Sequence, residues 1–102
     1  MEALDLFGIK EGVSTKVRIN KRSTYTIVWV DGFADPKDDA WCVYKKNQII
    51  IRKGMPPRQL LFTFIHELLH AVQYEYDVGM TERQVDKLET AIGKVSALNG
   101  WL

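Results

Sequence analysis

In 102 residues the chain has one cysteine, three prolines and two histidines, and its basic residues outnumber its acidic ones by a single charge. Each scarcity excludes something. A lone Cys42 cannot close an internal disulfide, which points to a reducing, cytoplasmic setting. A formal net charge of +1 gives no electrostatic case for nucleic acid or an acidic membrane as partner. No stretch approaches the roughly 20 apolar residues of a membrane span. Residues 1–12 carry acids and lack a basic start followed by an apolar run, so no secretory signal is expected. Internal repeats and low-complexity tracts are missing too. What remains is 46% hydrophobic and 26% charged, the composition of one folded domain over 1–102 with a core of its own.

The hydrophobic pattern changes period along the chain. Residues 1–12 (MEALDLFGIKEG) hold too few apolar positions to settle helix or strand and read as an N-terminal arm. From Lys16 the period is two: KVRIN (16–20) and STYTIVWV (23–30) alternate and are rich in β-branched and aromatic residues, as strands are. Asn20-Lys21-Arg22 is a short turn between them, and DGFADPKDDA (31–40) is a loop. WCVYK (41–45) and QIIIR (48–52) predict two more strands, with a tight hairpin at Lys46-Asn47. Gly54, Pro56 and Pro57 then break the pattern. From Arg58 to about Tyr76 the run is apolar around most of a helical circumference, which predicts a central, buried helix stopping near Gly79. Thr81 with Gln84 forms a capping-box pattern that opens a second helix, apolar along Val85, Leu88, Ile92 and Val95 and ending near Asn99-Gly100. Trp101-Leu102 is an apolar tail expected to pack back. The fold expected is α+β: a small antiparallel sheet of three to four strands followed by two helices on one side of it.

The central helix contains His66-Glu67-Leu68-Leu69-His70. Residues i and i+4 lie one turn apart on one helix face, so two imidazoles there converge on a single ion. Zinc takes histidine nitrogens at about 2.0–2.1 Å, and the intervening Glu67 reaches a metal-activated water without ligating, which suits a general base. Two histidines placed at random in this length fall four apart in about 2% of cases, and a Glu follows the first about 6% of the time, on the order of 0.1% together. The competing reading pairs His66, Glu67 and His70 with one another as satisfied polar groups. In the middle of an apolar helix that costs several kcal/mol unless every group finds a partner, and a metal supplies the partner.

A catalytic zinc needs a third protein ligand and an open position. A histidine six residues after His70 is excluded, because that position is Tyr76. Glu82, Asp86 and Glu89 share one face of the second helix. A simple antiparallel helix pair turning near Gly79 sets residue 89 level with His70 and favours Glu89 as ligand. The Glu82-x-x-x-Asp86 spacing favours Glu82 instead, with Asp86 orienting a ligand histidine from behind.

The run TFIHELLHAVQYEYDVGMTERQVDKLETAI (63–92) resembles small zinc metallopeptidase-like proteins of the minigluzincin kind, the SprT-like and ImmA/IrrE-like proteins common in phages and other mobile elements. The likeness extends upstream through the strand around 25–30, the acidic loop and WCVYKKNQIIIRKG (41–54). It implies a zincin-like fold, Zn2+ on His66 and His70, Glu67 as the base, and a third ligand at Glu82 with Asp86 in support. It also implies that QIIIR pairs with an extended peptide substrate by β-addition.

Weaker signals complete the reading. Tyr74 or Tyr76 could donate to a developing oxyanion, although both also suit surface packing. Cys42 reads as a small strand residue rather than a ligand. Asp31, Asp35, Asp38 and Asp39 lack the spacing of an EF-hand calcium loop. Lys21, Arg22, Lys45 and Lys46 fall at two turns, where a phosphate patch or ordinary charged tips are both expected. The function expected is zinc-dependent hydrolysis of a peptide or protein substrate. The alternatives are a non-catalytic zinc protein acting through a partner, and an interaction module using the N-terminal arm or Trp101-Leu102.

Overall fold

Alternation in the strands decides what the sheet buries. In a computed structural model, which describes residues 8–100, four strands are formed: β1 (Thr15–Arg18), β2 (Thr24–Val30), β3 (Ala40–Val43) and β4 (Gln48–Arg52). Tyr25, Ile27, Ile49 and Ile51 point to one face and are fully buried. Two helices follow, α1 (Pro57–Glu75) and α2 (Glu82–Leu98). The class is therefore α+β, with the strands first and the helices after them. Leu61, Phe64 and Ile65 of α1 close the core over the sheet, and Ile9 joins it from the N-terminal side. The rest of the expected N-terminal arm (1–7) and the expected Trp101-Leu102 tail lie outside the described residues.

The sheet is mixed rather than wholly antiparallel. Its order is β1-β2-β4-β3. The β1–β2 and β3–β4 pairs are antiparallel, but β2 and β4 run parallel, with Ile27 opposite Ile49 and Trp29 opposite Ile51. The acidic loop after β2 is long enough to carry the chain across to the far edge. There β3 forms, and β4 then returns into the gap. Parallel neighbours need such a crossover, whereas a short hairpin would have forced antiparallel pairing.

The connections have local causes. Asn20 Oδ1 accepts from the backbone N–H groups of Arg22 (2.8 Å) and Ser23 (2.7 Å), an Asx turn between β1 and β2. The expected tight hairpin at Lys46-Asn47 is instead one 3-10 turn, Tyr44–Lys46, closed by Asn47 at φ 50°. Asn tolerates this left-handed conformation better than most residues. The turn shortens β3 to end at Val43. Pro57 opens α1 where its missing N–H costs nothing. The helix stops at Glu75, and the chain reverses through Asp77 (φ 53°), two residues before the expected stop at Gly79. Tyr25 OH donates to Glu75 Oε2 (2.9 Å) and Ser23 Oγ donates to Glu75 Oε1, tying that end of α1 to β2.

The capping box of α2 is complete: Gln84 N–H donates to Thr81 Oγ1 (3.1 Å) and Thr81 N–H to Gln84 Oε1 (2.8 Å). The apolar face expected for α2 is only partly inward. Val85 is buried, but Leu88, Ile92 and Val95 are exposed. The face turned to α1 runs through Glu82, Val85, Glu89, Gly93 and Ser96. At Gly93 the helices approach so closely that a methyl group would collide with the ring of Phe62. The same rotation brings Glu82 and Glu89 to the histidines of α1.

Candidate metal centre

The i, i+4 spacing on α1 sets the His66 and His70 rings beside each other, their centroids 4.8 Å apart. The capping box starts α2 one residue before Glu82, which fixes that side chain in the first turn. Three atoms then converge. His66 Nε2 lies 3.0 Å from Glu82 Oε1, His70 Nε2 lies 3.2 Å from the same oxygen, and the two Nε2 atoms are 3.2 Å apart. Bonds of about 2.0–2.1 Å in a tetrahedron give ligand atoms about 3.3 Å apart, so this triangle has the size of one tetrahedral face.

The other side of His66 bears on its tautomer. Nδ1 faces Glu89 Oε1 at 2.9 Å and Asp86 Oδ1 at 3.5 Å, both acceptors. A carboxylate there assigns the ring proton to Nδ1 and leaves Nε2 with a lone pair. That lone pair points at a carboxylate oxygen and a second imidazole nitrogen. A proton on His70 Nε2 or a cation would satisfy these acceptors, and the donor set of two imidazoles and one carboxylate is one that zinc accepts. A second group, His66 with Asp86 and Glu89, is close enough to hold an ion as well, but it draws on the histidine's outer nitrogen.

Glu67 lies on the sheet side of this cluster and is 9% exposed. Its carboxyl is pushed up to about 7, first by burial and then by the charges of Glu82 and Glu89, against a lowering by His66. A carboxyl held near neutrality takes and gives a proton at little cost. Two clefts open beside the cluster. One, of about 400 Å3, adjoins His70 and Glu82 and includes Tyr44 and Tyr74. The other, of about 230 Å3, adjoins His66 and Glu67 and includes Lys37, Ala40 and Thr63. β3 runs from the second cleft towards the first.

The remaining sequence-marked residues are distributed as follows. Tyr74 is exposed and stacks on Tyr44, ring centroids 4.5 Å apart. Tyr76 OH donates to Ile19 O (2.8 Å), which commits it to the β1–β2 turn rather than to an oxyanion. Cys42 lies on β3 among the core contacts and in neither ligand group. The loop aspartates do not converge: Asp31 pairs with Lys53, Asp38 accepts from Trp41, and Asp39 holds Arg52 and Gln59. Lys21-Arg22 and Lys45-Lys46 sit at turns on the same end of the sheet, because β2 and β4 are parallel. Gln48–Arg52 is β4 and is hydrogen-bonded to β2 and β3. It therefore has no free edge for a peptide. Among the described residues the strand with one partner beside α1 is β3. The sequence reading missed Tyr44, Gln73 and Asp77 at the larger cleft. Nothing local marks them, because they meet only when the β3–β4 turn and the end of α1 come together.

Compared with known proteins, the chain matches no family model, no curated protein and no solved structure.

Proposed function

We propose that this protein is a zinc-dependent metallopeptidase of the minigluzincin kind. The observation that carries the reading is the convergence of His66 Nε2, His70 Nε2 and Glu82 Oε1 within 3.0–3.2 Å of one another, with buried Glu67 alongside. His66, His70 and Glu82 would hold the ion. Zinc bound there would supply Lewis acidity towards a peptide carbonyl and would make an attacking water more acidic. Glu67 takes the proton of the attacking water and hands it to the departing amine, returning to the carboxylate. Glu89 holds the Nδ1 proton of His66 and so keeps Nε2 aimed at the ion. The outer edge of β3 offers main-chain groups to an extended peptide, which gives binding with little dependence on sequence.

A second reading is a phage or mobile-element protein that keeps the zinc but acts by partner binding. It is favoured by the exposed stripe Leu88, Ile92 and Val95 on α2. One pair of measurements tests both. Zinc per chain is determined on wild type and Glu82→Ala, and hydrolysis of a peptide mixture on zinc-loaded wild type and Glu67→Gln. One zinc in wild type, lost in Glu82→Ala, with cleavage that falls at least about 100-fold in Glu67→Gln, supports the peptidase. Zinc without cleavage in wild type moves the conclusion to the second reading. No zinc uptake overturns both.

A further inference from the structure

The larger cleft beside the metal centre has a one-sided chemistry. Its charged side chains are the carboxylates of Asp77 and Glu82, and no Lys or Arg is among the described residues that form it. The Gln73 amide spends an N–H on Met80 O (3.0 Å), and its Oε1 is buried without a hydrogen-bond partner. Tyr44 and Tyr74 stack nearly parallel, 13° between planes, and Tyr74 is 59% exposed, so the pair offers an open aromatic face. Zinc on the histidines would engage Glu82, which leaves Asp77 as the uncommitted charge. Asp77 has no ion-pair partner among the described residues.

We propose that this cleft is a subsite for a basic side chain, arginine above lysine, next to the scissile bond of a bound peptide; the inference rests on the peptidase reading above. An acidic side chain meets Asp77 with like charge. An apolar one covers the exposed Asp77 carboxylate and gives it nothing to bond, a desolvation cost without return. A guanidinium lies flat on the exposed face of Tyr74 and directs N–H donors to the Asp77 carboxylate. An ammonium makes the charge contact but not the planar stack. The smaller cleft lacks this selectivity, because Lys37 stands among its acids.

The test is a binding titration on the zinc-loaded Glu67→Gln protein, in which nothing is consumed. Short peptides identical except for Arg, Lys, norleucine or Glu at one position are compared, with that position placed on either side of the bond that would be cut. Arginine on one of the two sides is expected to bind about tenfold tighter than norleucine, the sum of an exposed cation–π contact and an exposed ion pair. Lysine falls between them and Glu is weakest. Asp77→Asn, which keeps a residue at ease with positive φ, is expected to cut the arginine-to-norleucine ratio to about threefold. Tyr74→Leu should bring arginine and lysine level. Equal binding of all the peptides, no binding of any, or a ratio unmoved by Asp77→Asn overturns the subsite. A wild-type protein that cuts nothing while arginine preference persists overturns the peptidase reading, and with it the placement beside a scissile bond, and leaves only a binding pocket for a basic side chain.

Discussion

Glu89 separates a ligand from a ligand's support. It sits 2.9 Å from the outer nitrogen of His66, on the side away from the converging triangle. Glu89→Ala should therefore weaken zinc about 10- to 100-fold without abolishing it, as removal of such partners does. Competition with a chelator measures this, and complete loss would make Glu89 the third ligand instead of Glu82. Cys42 gives a prediction of opposite kind. Burial, and then the negative charges of Glu67 and Glu75, push its thiol up to about 12. A raised acid pKa favours the neutral form, so Cys42 should alkylate about 1,000-fold more slowly than a free thiol at pH 8, where the thiolate reacts. The same shift makes a constant contribution to stability below the ordinary thiol pKa, lost as pH rises through about 12. Alkylation at the rate of a model thiol would show that β3 opens readily. His66, Glu67 and His70 were legible as a group because helical period alone places them together. The third position was legible only as a choice: the Glu82-x-x-x-Asp86 spacing favoured Glu82, and a simple antiparallel helix pair favoured Glu89. It depends on how far α2 slides along α1, and the reversal at Asp77 sets His70 beside Glu82 where a turn at Gly79 favoured Glu89.

At the level of elements, the pairing of α1 with α2 decides whether the triangle exists. Gly93 lies against Phe62. Gly93→Ala gains about 1 kcal/mol of helix propensity, but the overpacking costs about 1–3 kcal/mol. A net loss of about 1 kcal/mol in urea unfolding is expected, restored by adding Phe62→Leu. If Gly93→Ala is more stable than wild type, the close approach is not tight. Thr81→Ala removes the oxygen that caps α2 and should cost about 1 kcal/mol. Because Glu82 occupies the first turn, the same change should also weaken zinc, and Thr81→Ser should restore both. The strands and helices were legible in outline from period and caps. The parallel β2–β4 pair was not, since alternation within a strand carries no information about which neighbour it takes. The burial of α2 differed from expectation because Leu88, Ile92 and Val95 set the expected inward face, whereas the face carrying Glu82 and Glu89, with Val85 and Gly93, is the one turned to α1.

For the whole molecule, the proposed ion would be coupled to the fold, because the three proposed ligands meet only when α1 and α2 pack. Zinc at 100 times its dissociation constant should stabilise the protein by about 2.7 kcal/mol, on the order of 10–20 °C in Tm for a chain of this size. Scanning calorimetry with zinc and with a chelator checks this; equal Tm values would mean that no ion binds the native state. The strand order has a consequence of another sort. β3 has one described neighbour, β4, which follows it in the chain, and β4 also joins β3 to the β1–β2 hairpin. While the chain is being made, β3 therefore waits without a ladder until β4 has emerged and taken its slot. Sheet closure is then a late, non-local event, and such closures are slow. The edge proposed to receive a peptide is accordingly the last part of the sheet to be secured and the first whose amides should exchange with solvent.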